Sequence, residues 1–401
     1  MARIQYAERV MPLMSTLRQR FAAEQPFDGL SIVACLHVTA ETAVLVRLLR
    51  AGGARVSLAA SNPLSTQDDI AEALAADGVE VFARAGVDRE TYYRHIEDAL
   101  KNGADLIVDD GGDLVSTVHT SGMPGVRGGC ESTTSGVIRL RRMVAEGALA
   151  FPMIAADDTP AKRMLDNVCG TGQSVIDGIL RATNTLLAGK TVVVAGFGAC
   201  GAGIAARAAG LGARVMVTEV NPVRALDAAL RGFPVLPMAE AAPLGEVFIT
   251  ATGSVDVIGA EHVEVMRDGA ILANAGHFDA EIDVRALETT AVAVHGEVRP
   301  HVDAYELADG RRLLLLAEGR VVNLVAAEGH PPEVMDLAFG IEALSLAWLA
   351  TNAGKLSTDV HPVPAELDAE AAGLTLAAMG VRIDTLTAAQ REYLESWRIG
   401  S

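Results

Sequence analysis

The sequence predicts an α/β fold with mostly parallel sheets, on three observations. Strand-like apolar runs alternate with helix-like ones. The alternation occurs in two separate series. The second series opens on a glycine-rich turn between a buried strand and a helix.

The elements follow in order. "MARIQYAERVMPLMSTLRQRF" at the N-terminus reads as one amphipathic helix. "LSIVACLHV" from Leu30, "ARVSLAAS" from Ala54, "GVEVFARA" from Gly78 and "ADLIVDD" from Ala104 read as strands. "AETAVLVRLLRAGG" from Ala40 reads as a helix stopped by two glycines. A second strand–helix series starts at Lys190, and from about Pro331 the chain is helical and ends in a polar tail. The expected division is 1–170, 171–330 and 331–401, the last part returning to the first domain.

Length and composition set bounds. A chain of 401 residues is long enough for two or three domains. Half of it is apolar, yet no run of eighteen lacks a charge, so no membrane span is expected. The start lacks the apolar core and small-residue cleavage site of a signal peptide. A net charge of -18 argues against a nucleic-acid surface. Cys35, Cys130, Cys169 and Cys200 show no CxxC spacing. Reduced thiols in a cytoplasmic protein are expected, with no metal site.

The stretch "IVDDGGDLVSTVHT" places Asp109, Asp110 and Asp113 where a strand ends. Asp and Gly are ordinary turn residues, so a solvated turn is one reading. A carboxylate at the carboxyl end of a parallel strand, where open α/β sheets bind ligands, is the other.

The Lys190 series carries the most legible chemistry. "TVVVAG" is a buried strand that runs into Gly196-x-Gly198-x-x-Gly201, and a helix follows. A second strand, "ARVMVTE", ends at Glu219. The glycines permit a tight turn and close approach to a pyrophosphate on the helix N-terminus. Glu219 stands where an acid binds the ribose 2′-hydroxyl, which selects NAD over NADP. The series is therefore Rossmann-like. Farther back, in "TPAKRMLDN", Lys162 and Asp166 lie four apart and share a helix face. Taken alone, that spacing reads first as an ordinary surface ion pair.

Several segments occur together in one order: "LHVTAETAVLVRLL", "SNPLSTQDD", "DDGGDL", "ESTTSGV", "LDNVCGTGQSVIDGI", "NAGHFDAEIDV" and "LAEGRVVNL" with "GHPPEVMD". The set resembles the S-adenosylhomocysteine hydrolase family over nearly the whole chain. With "GTGQS" and the ending "QREYLESW" it is similar to the family's short, archaeal and thermophile-type branch. The resemblance implies two Rossmann-like α/β domains, one for substrate and one inserted for NAD, with a cleft between them. It implies a small adenine nucleoside as ligand and a homo-oligomer, dimer or tetramer. It also implies tightly held NAD that oxidises the ribose 3′-hydroxyl, so that the C4′ proton becomes acidic and the C5′ substituent is expelled. Water then adds and the ketone is reduced again.

Roles carried over by resemblance are as follows. Lys162 handles the 3′-hydroxyl proton and Asp166 orients it. Asp110 is the carboxylate on the C4′ side. His37 lies beside the leaving group, and His277 faces the same region. Thr39 and Glu41 meet adenine, together with backbone near His330. Thr133, Thr134, Ser135, Asn167, Asn274 and Asn323 join Gly196, Gly198, Gly201 and Glu219 in holding NAD.

Some positions depart from the family pattern. The family has Glu-Glu-Thr-Thr-Thr-Gly where this chain has Glu131-Ser132-Thr133-Thr134-Ser135-Gly136. Ser132 thus replaces a carboxylate that holds the ribose hydroxyls. Cys169 stands where an aromatic is usual, Ala199 and Ala202 where bulkier side chains are usual, and "AFGIEAL" from Ala338 replaces "SFANQAL". A lost charge and opened space beside the ribose favour a paralogue that dehydrates a modified adenine nucleoside, of the psicofuranine-to-decoyinine type. Ordinary S-adenosylhomocysteine hydrolysis, with ribose binding repaired by another residue, is the alternative. A non-catalytic NAD-binding regulator is a third reading, which the retained His37, Asp110, Lys162 and Asp166 oppose.

Overall fold

The computed structural model describes residues 2–398. The fourteen strands of the described residues form two seven-stranded sheets. The first is parallel throughout, in the order β14-β6-β5-β4-β1-β2-β3. It comprises β1 (Ser31–Leu36), β2 (Arg55–Ala60), β3 (Glu80–Phe82), β4 (Leu106–Asp109), β5 (Gly128–Glu131), β6 (Met153–Ala155) and β14 (Val360–Pro362). β1 and β4 are buried at every position, as strands covered by helices on both faces must be.

The second sheet has the order β11-β12-β13-β10-β9-β7-β8. Its parallel part is β7 (Thr191–Ala195), β8 (Arg214–Thr218), β9 (Val247–Thr250), β10 (Ile271–Asn274) and β13 (Arg312–Leu316). An antiparallel edge is added by β11 (Ala291–Arg299) and β12 (Val302–Leu307). The α/β expectation with two parallel-sheet domains agrees with this architecture.

The expected single N-terminal helix is two, Ala2–Val10 and Pro12–Glu24. Pro12 explains the break. It has no N–H to give to a helix already under way, but it suits the first turn of a new one. The new first turn is capped from far away: the Asp336 carboxylate accepts from the N–H groups of Leu13 at 3.0 Å and Met14 at 2.8 Å. Asp336 belongs to the helix Pro332–Asn352, which is long and apolar enough to cross a membrane, but 72% of that apolar window is buried within the protein. Leu337, Phe339, Ile341, Leu344, Leu346 and Leu349 are buried in the core of the first sheet's domain. At roughly 1.5–3 kcal/mol for each large apolar side chain, they fasten this helix there. The strand after it, β14, pairs with β6 and extends the first sheet.

Candidate active site

Parallel strands deliver the site residues at their carboxyl ends. In the first sheet, β1 runs out to His37, β4 to Asp110, β5 to Ser132 and β6 to Asp157. In the second, β7 runs into the glycine turn and β10 toward His277. These ends share a cleft of about 510 Å³, within the range of small-molecule sites.

The acids at the end of β4 divide their work. Asp109 is buried and accepts from the N–H groups of Asp110 and Val115, so it shapes the turn into the next helix. Asp113 accepts from Tyr92 Oη and Arg139 and ties two helices together. Asp110 alone of the three faces the cleft, with Oδ2 3.2 Å from His37 Nε2. The other ring nitrogen, Nδ1, lies 2.6 Å from Ser65 Oγ. Burial pushes the His37 imidazole down to about 4, against the pull of Asp110, so the ring is neutral at pH 7. The His277 ring is 5.6 Å from that of His37. It occupies the space that Gly111 leaves: at φ +112°, a Cβ there would lie 2.3 Å from His277 Nε2.

Lys162 is buried in a nest of acceptors. Its ammonium lies 2.9 Å from Asp157 Oδ1, 3.0 Å from Ser132 O, 3.2 Å from Asn167 Oδ1 and 3.3 Å from Asp166 Oδ1. The residues after it, Arg163–Gly170, form a π-helical segment, a local irregularity that often marks functional sites. Burial works against the charge of Lys162, but the two carboxylates outweigh it and hold the ammonium well above the usual lysine range. Lys162 holds Asp157 below the usual carboxylate range in turn. The sequence reading does not include Asp157. Its signal is the acid pair of "AADDTP" after a short apolar run, the same pattern that singles out Asp110.

The remaining substrate candidates also line the cleft. Thr39 caps the helix Ala40–Ala51, and Glu41 is buried in that helix's first turn, its carboxyl pushed up by burial. His330 Nε2 lies 3.2 Å from Thr171 Oγ1. Ser132 Oγ donates to Glu342 Oε1 at 2.5 Å. The open space expected beside Ser132 is therefore occupied. Glu342 brings a carboxyl to that position from the C-terminal helix.

The NAD candidates fall into two groups. Thr133, Thr134, Ser135, Asn167, Gly198 and Asn323 line the cleft. Gly196, Gly201 and Glu219 shape it from behind. A Cβ on Gly201 would sit 2.0 Å from Gly196 O, so only glycine permits this turn. Glu219 accepts from Phe197 N at 2.7 Å and fixes the turn to the end of β8. Asn323 Oδ1 is buried and has no hydrogen-bond partner among the described residues, as suits a position that waits for a polar ligand. These features fit a dinucleotide. Asn274 corrects the expectation. Its side chain holds the N–H of Gly276 and the carbonyls of Gly276, Phe278 and Gly319, and so supports the His277 loop instead of facing the cleft.

Comparison with known proteins agrees with this geometry. A family model described as "S-adenosyl-L-homocysteine hydrolase" matches residues 1–124, and its "NAD binding domain" counterpart matches residues 167–329. A protein of Saccharolobus solfataricus named adenosylhomocysteinase is 52% identical, over 99% of this chain and 96% of its own. One of Aquifex aeolicus with the same name is 54% identical, over 100% of this chain and 96% of its own. Among solved structures, a dipicolinate synthase chain from Bacillus halodurans is similar in fold, with a TM-score of 0.50, 16% identity, and 81% of this chain and 99% of that one covered. NAD is the cofactor of the second domain, and the chain belongs to the S-adenosyl-L-homocysteine hydrolase family.

Proposed function

We propose that the chain hydrolyses S-adenosyl-L-homocysteine to adenosine and homocysteine through a transient 3′-ketone. The observation that carries this reading is the convergence of Lys162 with Asp166, and of His37 with Asp110, on one cleft beside the glycine turn. Relatives named adenosylhomocysteinase support hydrolysis more than the dehydration that the sequence departures favour.

NAD, which Thr133, Thr134, Ser135, Gly198 and Asn323 would hold, would supply a hydride acceptor for C3′ and a hydride donor for the final reduction. The chain's own residues move the protons. Lys162 enters as an ammonium with its hydrogens engaged, so it is not a free base. It accepts the 3′-hydroxyl proton as one of its own passes to Asp166, and the pair acts as a relay. Asp110 takes the C4′ proton that the ketone acidifies, and the resulting carbanion expels the thiolate from C5′. Neutral His37, with His277 beside it, relays a proton from water to the sulfur, its ring taking one proton as it gives one. Water then adds at C5′, and Asp110 returns the proton to C4′.

A second reading rests on the replacement of the family's carboxylate by Ser132, which changes how the sugar is held. The protein would expel water instead of a thiolate from C5′ of a nucleoside with a hydroxymethyl at C1′, and leave an exocyclic alkene after ketone reduction. The retained proton-handling set supports an enzyme over a non-catalytic regulator. A cytoplasmic location and a homo-oligomeric state are part of the proposal. The former is in keeping with the free thiols at Cys35, Cys130, Cys169 and Cys200.

The test is to incubate purified protein separately with S-adenosyl-L-homocysteine and with a C1′-hydroxymethyl adenine nucleoside, and to identify products by mass. Adenosine and homocysteine are expected from the first. An alkene from the second, without homocysteine from the first, replaces the reading.

A further inference from the structure

We propose that Glu342 is the specificity-determining carboxyl of the sugar site, taking over from helix Pro332–Asn352 the hydroxyl-binding work that the family's strand-borne glutamate would do at position 132. The proposal deepens the functional reading above and rests on a nucleoside binding in this cleft.

Two departures from the family pattern carry it, and they meet in space. Where the pattern has Glu, this chain has Ser132; where "SFANQAL" has Gln, this chain has Glu342. The two positions are 210 residues apart, yet Ser132 Oγ donates to Glu342 Oε1 at 2.5 Å. A glutamate at 132 would extend about two bonds beyond the present Oγ, into the place that the Glu342 carboxyl now fills. A carboxyl thus reaches the side chain of residue 132 from the helix instead of standing at that position itself.

The carboxyl is also unfinished. Glu342 is 1% exposed, and its Oε2 is buried with no hydrogen-bond partner among the described residues. A buried polar oxygen left unpaired costs on the order of 1–3 kcal/mol, so a partner is to be expected. Glu342 lines the cleft together with Lys162, Asp110 and Ser132. Lys162 Nζ holds Ser132 O at 3.0 Å, which places Glu342 next to the proposed site of 3′-oxidation. Burial pushes the Glu342 carboxyl up to about 8, so an incoming hydroxyl meets a group able to donate or accept.

The arrangement has a chemical consequence. A glutamate at 132 offers both oxygens to a pair of neighbouring sugar hydroxyls. Here one oxygen is used by Ser132, and only Oε2 is free. Glu342 therefore reads one hydroxyl, and Ser132 Oγ, which still has acceptor capacity, reads its neighbour.

The experiment is a swap in the NAD-loaded protein: Glu342→Gln, Ser132→Glu, and both together. Steady-state kinetics with S-adenosyl-L-homocysteine and calorimetric titration with adenosine are the readouts, with NAD content and unfolding temperature measured beside them. Glu342→Gln should raise KM and weaken adenosine binding about threefold to tenfold, the scale of one hydrogen bond between uncharged groups, with NAD content kept. Ser132→Glu should be impaired too, because two carboxyls would face each other. The double variant should recover binding to within a few-fold of wild type. A structural role for Glu342 would instead lower the unfolding temperature and leave adenosine affinity alone, which overturns the proposal. So do additive losses in the double variant. A wild-type protein that neither binds nor turns over a nucleoside removes the functional reading itself, and this proposal with it.

Discussion

Lys162 and Asp157 meet as a buried ion pair at 2.9 Å, and the pair joins the end of β6 to the π-helical segment that carries Asp166. Thr134 and Asn167 also donate to Asp157, so this one carboxylate aligns three residues of the cleft. Its negative charge, with that of Asp166, keeps Lys162 protonated.

The first prediction concerns this pair. Lys162→Ala should abolish the appearance of NADH absorbance when nucleoside is added, because the 3′-hydroxyl proton has nowhere to go. It also strands two buried carboxylates, so a loss of about 3–5 kcal/mol in stability is expected and must be measured by denaturant titration. Asp157→Asn separates the two effects. It keeps the shape and the Thr134 and Asn167 neighbours but removes the charge, and should slow NADH formation on the order of 10²–10⁴ in a protein that still folds. An Asp157→Asn variant with the wild-type rate would remove Asp157 from the relay.

The second prediction separates early from late steps and carries a pH sign. His37→Ala should let NADH appear but stall product release, since the leaving group lacks its proton source. The same ring is neutral in the folded protein down to about pH 4, and the unfolded chain binds its proton near the usual 6.5. Between those values the unfolded state holds more protons, so stability falls as pH drops from 6.5 toward 4. The His37 share is on the order of 1–3 kcal/mol. Urea midpoints at pH 7 and pH 4.5 should differ more for wild type than for His37→Gln. An equal difference in both would mean that this histidine is not held neutral.

How far the residues reveal this site varies for physical reasons. The Lys190 series is legible because its chemistry is local: strand, glycines, helix and acid follow one another within some thirty positions, as β7 to Glu219 do. Asp110 is legible only as one of two readings, because turn acids and site acids look alike until a partner such as His37 is in view. Asp157 escapes a reading by spacing, since its meaning depends on a lysine beside a π-helical turn that no spacing rule describes. Ser132 reads as a loss because its compensation, Glu342, arrives from a helix at the other end of the chain. Contacts of that range are set by packing and leave no periodic trace.

The third prediction uses the space under His277. Gly111→Ala would place a methyl 2.3 Å from His277 Nε2 and hold φ +112° with a side chain that disfavours it. The backbone strain is about 1–3 kcal/mol, and the ring must move away from His37. Activity should therefore fall by more than stability alone accounts for. The check is kcat measured well below the unfolding temperature, together with NAD content. Full activity in a folded variant would show that His277 need not stay at that distance.

The last prediction concerns cofactor choice. Glu219 accepts from the N–H groups of Phe197, Val220 and Asn221, at 2.7, 2.7 and 2.8 Å. Burial would raise its carboxyl, but these three donors and Arg224 hold it below the usual range, so it is ionised at neutral pH. A 2′-phosphate placed beside it would face a fixed negative charge, and such like-charge contact costs several kcal/mol. Protein purified without added cofactor should release NAD and not NADP on denaturation. Removing the side chain altogether would confuse the matter, because the Phe197 N–H and the glycine turn would lose their anchor. Glu219→Gln keeps an acceptor for that N–H and discards only the charge. With Arg224 then left close to the site and unopposed, the preference for NAD over NADP should shrink at least tenfold, read by titrating the NAD-depleted protein with each nucleotide. If Glu219→Gln binds both nucleotides in the wild-type ratio, the selectivity lies in the shape of the turn and not in this carboxylate.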